Sequence, residues 1–391
     1  MNIIIYKGQF QYDVVNQFSD ELAKELINIG HDVHLIDLVT VSPADVAYYL
    51  LHNQIDLILS FNGVNFTNQN VFEKLGIPLG IILVDHPFFH VNRIETFKGN
   101  TTFFCLFDEA FLDAFEECID SDAPIAWFPH GGVEMSTIDN QEKRYDIVVP
   151  ASIGDYIENE TQILKFGDGI INKLTINLYE RGKEDYNIPL YQHFKKELEL
   201  VGLSPEYLKE KKEYLDIFSH IYILVDKALR ARNRYRVIKR LIDEGIKIQH
   251  FGKLNNKELS DNKNFVSGGA VNYLQLIEEI KKSRILLHDT PYFQNGSHER
   301  ILTGMLNKTL VFSNINNYCN NRYKDGKNIV YYNMNDLNIL IEKTRYYLEN
   351  EDDREKIITN AYETAKTYDT WGNRAKEIMD IYYAFLEARK K

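Results

Sequence analysis

At 391 residues, 44% hydrophobic and 26% charged, the chain is long enough for about two or three domains with ordinary buried cores. A formal net charge of −12 excludes a broad electrostatic surface for DNA or RNA, while leaving room for one anionic ligand in a locally basic pocket. Cys105, Cys118 and Cys319 have no metal-ligand spacing and form no disulfide framework, and no signal peptide or transmembrane run is read, so the expected setting is the cytoplasm.

The first ~135 residues alternate strand and helix, the pattern of a parallel sheet covered on both faces. Asn2–Tyr6 reads as the first strand, Asp13–Ile29 as an amphipathic helix stopped by Gly30, and Asp32–Asp37 as the second strand. Further strands are expected at Asp56–Ser60, Pro78–Val84, Thr101–Phe107 and Pro124–Phe128, with helices between them. Residues 1–135 thus form a first Rossmann-like domain.

A second domain is expected over 145–391, opening with the strand Tyr145–Ser152. Residues 158–230 are rich in Lys, Glu, Leu and Tyr with helical period and read as a helical insertion, longer than a bare loop should be. Alternation returns with helix Arg232–Glu244, strand Lys247–Phe251, helix Val271–Lys282, strand Arg284–His288, helix His298–Asn307 and strands Lys308–Phe312 and Asn328–Tyr332. The tail from Asn335 reads as two or three helices. Two such halves bury a cleft between their strand ends, where helix N-termini and loop groups converge on ligands.

The sharpest local signal follows the strand ending at His288. The run Asp289-Thr290-Pro291-Tyr292-Phe293-Gln294-Asn295-Gly296-Ser297-His298-Glu299-Arg300 leaves a strand and opens a helix. Unpaired N–H groups and partial positive charge at a helix N-terminus suit a diphosphate. Gly296 and Ser297 allow close backbone approach, Glu299 offers acceptors for ribose hydroxyls, and His298 and Arg300 offer positive charge. The competing structural reading is a helix capped by Ser297. Arg230, Arg232, Arg234 and Arg236 form a second basic cluster, in which Arg232 and Arg236, four apart, share a helix face. Gly252 stands just past a strand, as a close-approach glycine or a plain turn.

From about Ser283 to Thr370 the chain resembles the CgeB-like group of glycosyltransferases, within the larger GT-B set called group 1. The likeness rests on an ordered series: Ser283-Arg284-Ile285-Leu286-Leu287, then Asn295-Gly296-Ser297-His298-Glu299-Arg300, the helix Ile301–Leu306 and Lys308-Thr309-Leu310-Val311-Phe312-Ser313. Tyr323–Tyr332 and Tyr368-Asp369-Thr370 complete it. The resemblance implies an α/β GT-B fold, two Rossmann-like domains facing a cleft, with the helical insertion in the C-terminal one. It implies a glycosyltransferase moving sugar from a nucleotide-linked donor, UDP or GDP, to a glycan, lipid-linked or protein acceptor. The donor would be held by Asn295, Gly296, Ser297, His298, Glu299, Arg300, Arg232 and Gly252.

In the N-terminal half, Gly30-His31-Asp32-Val33 resembles the family's lead into its second strand. Deprotonating an acceptor hydroxyl calls for a carboxylate or imidazole near a strand end. Asp85 and His86 in Val84-Asp85-His86-Pro87-Phe88-Phe89-His90, and His130 in Pro129-His130-Gly131-Gly132, are the candidates. Asp108 reads instead as a helix cap. No metal site is expected, because no Asp-x-Asp follows a strand and no zinc spacing occurs. No bound cofactor is expected beyond the sugar nucleotide, and neither is a nucleic-acid partner; an oligomer is compatible. Two other readings stay open. One is a nucleotide-sugar epimerase or hydrolase on the same halves. The other is a silent sugar-binding or coat-assembly protein, since Asn295 and Thr303 stand where many retaining relatives carry glutamates.

Overall fold

The computed structural model describes residues 1–64, 73–97, 101–135, 142–289 and 293–390. These form two compact units. Unit 1 comprises Met1–Gly131, Pro205–Ser219 and Thr370–Lys391; unit 2 comprises Gly132–Ser204 and His220–Asp369.

Unit 1 is built on a six-stranded sheet: β1 (Asn2–Lys7), β2 (Asp32–Asp37), β3 (Leu57–Phe61), β4 (Leu79–Leu83), β5 (Thr102–Leu106) and β6 (Ile125–Trp127). Its spatial order is β2-β1-β3-β4-β5-β6 and every pairing is parallel. β3, β4 and β5 are buried along their full length, which is why they read as unbroken apolar runs. Gly30 has φ +95°, the left-handed stop expected after the first helix, here Val14–Asn28.

The C-terminal helix Trp371–Arg389 packs in unit 1, where the sequence placed the whole tail with the C-terminal domain. Aromatic packing accounts for this. The Trp371 ring lies 5.3 Å from Phe18 and 6.0 Å from Phe61, Phe385 meets Phe103 at 5.1 Å, and Tyr382 donates to the Asp56 carbonyl at 2.9 Å. Trp371→Ala is therefore expected to lower stability by about 3–5 kcal/mol, the usual cost of emptying a large buried ring site. Chemical denaturation measures it; a loss below about 1 kcal/mol would contradict this packing.

Unit 2 carries a second six-stranded parallel sheet: β7 (Tyr145–Pro150), β8 (Ile248–Phe251), β9 (Phe265–Ser267), β10 (Ser283–His288), β11 (Leu310–Asn314) and β12 (Val330–Tyr332). Its order is β12-β11-β10-β7-β8-β9, the arrangement of a dinucleotide-binding Rossmann sheet. The β7–β8 crossover contains the helical insertion: Tyr156–Lys165, Gly169–Glu184, Leu190–Leu200, Pro205–Glu210 and Lys212–Asp243. The last of these corrects the sequence reading, which ended the insertion near 230 and began a new helix at Arg232. One unbroken helix of 32 residues spans both. Its C-terminal turns bury Val237, Ile238, Leu241 and Ile242 in the same core as β7 and β8, so the crossover closes as any Rossmann crossover does.

Asp369 ends unit 2 as a buried carboxylate. It accepts hydrogen bonds from the Tyr318 hydroxyl at 2.9 Å, the Tyr323 hydroxyl at 2.5 Å and the Arg322 guanidinium. Burial and this charge together raise the Tyr323 phenol well above its ordinary pKa. The middle residue of Tyr368-Asp369-Thr370 thus anchors the chain.

Candidate functional site

In an open parallel sheet, ligands settle where neighbouring strands send their crossovers to opposite sides. In unit 2 that point lies between β7 and β10, whose next strands, β8 and β11, flank them on opposite sides. The loops after Pro150 and after His288 border this crevice.

Arg234 ties those two loops together. Its Nε donates to both carboxylate oxygens of Asp289, at 2.8 and 3.1 Å, and its Nη1 donates to the Ser152 carbonyl at 2.7 Å. Its Nη2 has no hydrogen-bond partner among the described residues. Arg300, in the first turn of helix Glu299–Leu306, donates from Nη1 to the Pro150 carbonyl at 3.0 Å and from Nη2 to His298 Nε2 at 2.8 Å. A guanidinium can only donate, so His298 Nε2 accepts; its Nδ1 lies against the Glu299 carboxylate and 3.4 Å from the Arg300 amide. Arg300 Nε lies 3.6 Å from the same carboxylate.

The helix N-terminus after β7 is already filled: Asp155 Oδ1 accepts from the Ile157 and Glu158 amides at 2.9 and 3.2 Å. The long helix passes residues 230–236 without ending, so it offers no free N–H groups there. Positive charge in the crevice therefore comes from side chains. Arg230 belongs with Arg234, four residues on along the same face; it pairs with Asp226 at 2.8 Å and its charge helps depress His298. Arg232 and Arg236 form the other face, and both donate to the Tyr186 hydroxyl at 3.0 Å. Of the arginine cluster, the sequence favoured Arg232; the structure brings Arg234 and Arg230 to the loop instead.

The remaining expected residues have identifiable neighbours. Thr290, Pro291 and Tyr292 lie outside the described residues. Asn295 accepts from the Asn317 side chain at 3.0 Å, and Asn316 donates to the Gly296 carbonyl at 3.2 Å, so a short helix, Asn317–Arg322, pins the loop. The sequence missed that helix, which has little apolar periodicity. Ser297 is buried one residue before the cap position, which His298 occupies, so the proposed Ser297 cap is corrected by one residue. Thr303 is buried and bonded to the Tyr273 hydroxyl at 2.8 Å. At Gly252 a Cβ would stand 2.5 Å from the Ala151 carbonyl oxygen, so close approach of the loops after β8 and β7 is what requires glycine there.

His288 is the last residue of β10. It is fully buried, its ring lies 4.8 Å from that of His298, and neither nitrogen has a hydrogen-bond partner among the described residues. Burial first, then the charges of Arg300, His298 and Arg234, hold its pKa well below the ordinary histidine value. Because the folded pKa is lowered, the unfolded chain binds a proton below about pH 6.5 that the folded chain refuses. Stability is therefore expected to fall as pH drops through 6.5, by up to about 1.4 kcal/mol per pH unit from this residue. Urea unfolding of the protein and of His288→Asn between pH 7.5 and 5 tests this; equal acid slopes would contradict it.

In unit 1, Asp85 follows β4 and is 46% exposed, with His90 Nε2 at 3.7 Å from its Oδ2. His86 is buried instead: its Nδ1 accepts from the Phe88 amide at 3.3 Å and its ring meets Phe88 and Phe111 edge-on. His130 is buried with its ring 3.6 Å from Phe107 and 5.5 Å from Phe18. Asp108 accepts from the Ala110 amide at 2.8 Å at the head of helix Ala110–Cys118, close to its expected capping role. Of the three expected catalytic groups, only Asp85 presents a substantially exposed polar end.

Residues 230–380 match the family model described as glycosyl transferase-like. Solved structures agree over nearly the whole chain. Anabaena HepE in complex with UDP and glucose is 10% identical, covers 98% of this chain and 100% of its own, and gives a TM-score of 0.55. An alpha-glucosyltransferase in complex with UDP gives 13%, 97%, 99% and 0.58. T4 phage beta-glucosyltransferase gives 11%, 98%, 99% and 0.54. At such identities the likeness is one of fold, and the fold is the expected GT-B. The family match supports the expected glycosyl transfer. No curated protein matches the chain. Among the described residues, no helix is long and apolar enough to cross a membrane, and no group of three or more His, Cys, Asp or Glu could hold a metal ion.

Proposed function

We propose that this protein is a CgeB-like glycosyltransferase that uses a UDP-linked sugar. Unit 2 holds the donor and unit 1 supplies the carboxylate that activates the acceptor. The observation that carries this reading is Arg234, a guanidinium braced on both loops of the unit 2 crevice by Asp289 and the Ser152 carbonyl. UDP as the base-bearing half is supported by the relatives of like fold, since HepE and the alpha-glucosyltransferase were solved with UDP.

The chemistry assigns each group one task. The donor's bond from the sugar anomeric carbon to the β-phosphate oxygen breaks, and its electron pair leaves on UDP. Arg230, Arg234 and Arg300 stabilise that growing negative charge electrostatically, the largest single contribution in many transferases. Asp85 takes the acceptor hydroxyl's proton as its oxygen bonds to the anomeric carbon. The three arginines also neutralise the diphosphate in the resting complex, so no cation is needed for this role. One structural relative is an alpha-glucosyltransferase in complex with UDP-glucose and DNA. Here a net charge of −12 favours a glycan, lipid-linked or protein acceptor over DNA.

Thermal shift with UDP, GDP, CDP, ADP and TDP, each with and without EDTA, tests the donor assignment. UDP is expected to raise Tm by several degrees in both conditions, as a ligand bound only by the folded state does. A shift with a different base alone, or none with UDP, would overturn it.

A further inference from the structure

The sequence reading placed His90 on the helix after Pro87 and gave it no catalytic role, yet its ring lies beside the exposed carboxylate of Asp85. It ends the turn Pro87–Phe89 and begins the helix Val91–Ile94. Its backbone is fixed from both sides: its amide donates to the Pro87 carbonyl at 2.8 Å, and its carbonyl accepts from the Arg93 and Ile94 amides at 2.9 Å. The side chain is 10% exposed.

The ring's two nitrogens have different neighbours. Arg93 Nη1 lies 3.3 Å from Nδ1 and also donates to the Asn62 carbonyl at 2.7 Å. Asn62, at φ +55°, follows β3 and is held by its own side chain, whose oxygen accepts from the Val84 amide at 2.9 Å. Gly63 gives this cation its room, because a Cβ there would come within 2.9 Å of Phe97 and 3.4 Å of the Arg93 stem. Arginine donates and never accepts, so Nδ1 is an acceptor and the neutral ring carries its proton on Nε2. That nitrogen faces Asp85 Oδ2 at 3.7 Å, a contact of the kind that shortens when substrate closes around it.

We propose that His90 is a positioning residue for glycosyl transfer: Arg93 fixes its Nε2–H tautomer, and that N–H holds Oδ2 of Asp85 so that Oδ1 meets the acceptor hydroxyl. This rests on the reading of Asp85 as the base. A half-exposed carboxylate otherwise samples several rotamers, and fixing one oxygen aligns the other for proton abstraction. The order Arg93, His90, Asp85 repeats in unit 1 the order Arg300, His298, Glu299 of unit 2, with an arginine at one ring nitrogen and a carboxylate beside the other.

The test combines spectroscopy with kinetics on the full chain. Long-range ¹⁵N–¹H spectra of histidine-labelled protein, with His90→Gln assigning the signal, are expected to show the proton on Nε2, and Arg93→Leu to mix the tautomers. In transfer assays, His90→Ala is expected to lower kcat about 10- to 30-fold with KM for the donor unchanged. His90→Gln, whose amide can donate in the same direction, restores most of the loss. An Nδ1–H tautomer, or a kcat unaffected by His90→Ala, would overturn the proposal. Full activity in Asp85→Asn with the Nε2–H tautomer intact would instead remove Asp85 as base, and with it the catalytic consequence of His90, while leaving the tautomer assignment standing.

Discussion

Arg234→Met combined with Asp289→Asn is expected to abolish the UDP-dependent rise in Tm and to lower kcat/KM about 10²- to 10³-fold, on the order of 3–4 kcal/mol of transition-state stabilisation. The double change matters. Among the described residues, Arg234 is what satisfies both oxygens of Asp289, a carboxylate that is nearly fully buried. Removing only the arginine leaves that charge uncompensated, at a cost of about 3–5 kcal/mol, and mixes a folding defect with a binding defect. Removing both charges leaves a neutral amide where a carboxylate stood and isolates the loss of the donor site. Urea unfolding should place the double variant closer to the parent than Arg234→Met. Unchanged UDP binding in a well-folded double variant would mean that Arg234 does not face the diphosphate.

Asp85→Asn is expected to lower kcat about 10²- to 10⁴-fold while leaving UDP binding and Tm nearly unchanged. Asparagine keeps the shape and still offers an oxygen to His90, but it cannot accept the acceptor's proton. The side chain is half exposed, so its loss should cost little stability. Transfer assays alongside UDP titration separate the two effects. A variant with full kcat would move the base elsewhere, and the buried, aromatic-packed His86 and His130 are poorly placed to inherit the role.

Much of this was legible in the chain. The fully buried strands β3, β4 and β5 and the largely buried β7 and β10 carry apolar runs, and Asp32–Asp37 falls on the residues expected. Elements without an apolar signature were not read: β9 has three residues with one buried, and Asn317–Arg322 is almost wholly polar. The helix across residue 230 hid its continuity because no propensity marks a place where a helix fails to stop. The choice between two arginine faces followed from that. Arg230 with Arg234, and Arg232 with Arg236, are equally good pairs by spacing. Only the packing of Val237, Ile238, Leu241 and Ile242 decides which pair meets the strand ends. The role of His90 was invisible for a related reason, since its meaning lies in Arg93 and in Asn62, a residue 28 positions earlier with a left-handed backbone.

The central claim is that a nucleoside diphosphate sits between the loops after β7 and β10. A crystal structure with UDP measures this directly. The account expects the diphosphate within hydrogen-bond distance of Arg234 Nη2, beside Arg300 and the first turn of helix Glu299–Leu306. UDP bound on the Arg232 and Arg236 face, or anywhere in unit 1, would contradict it.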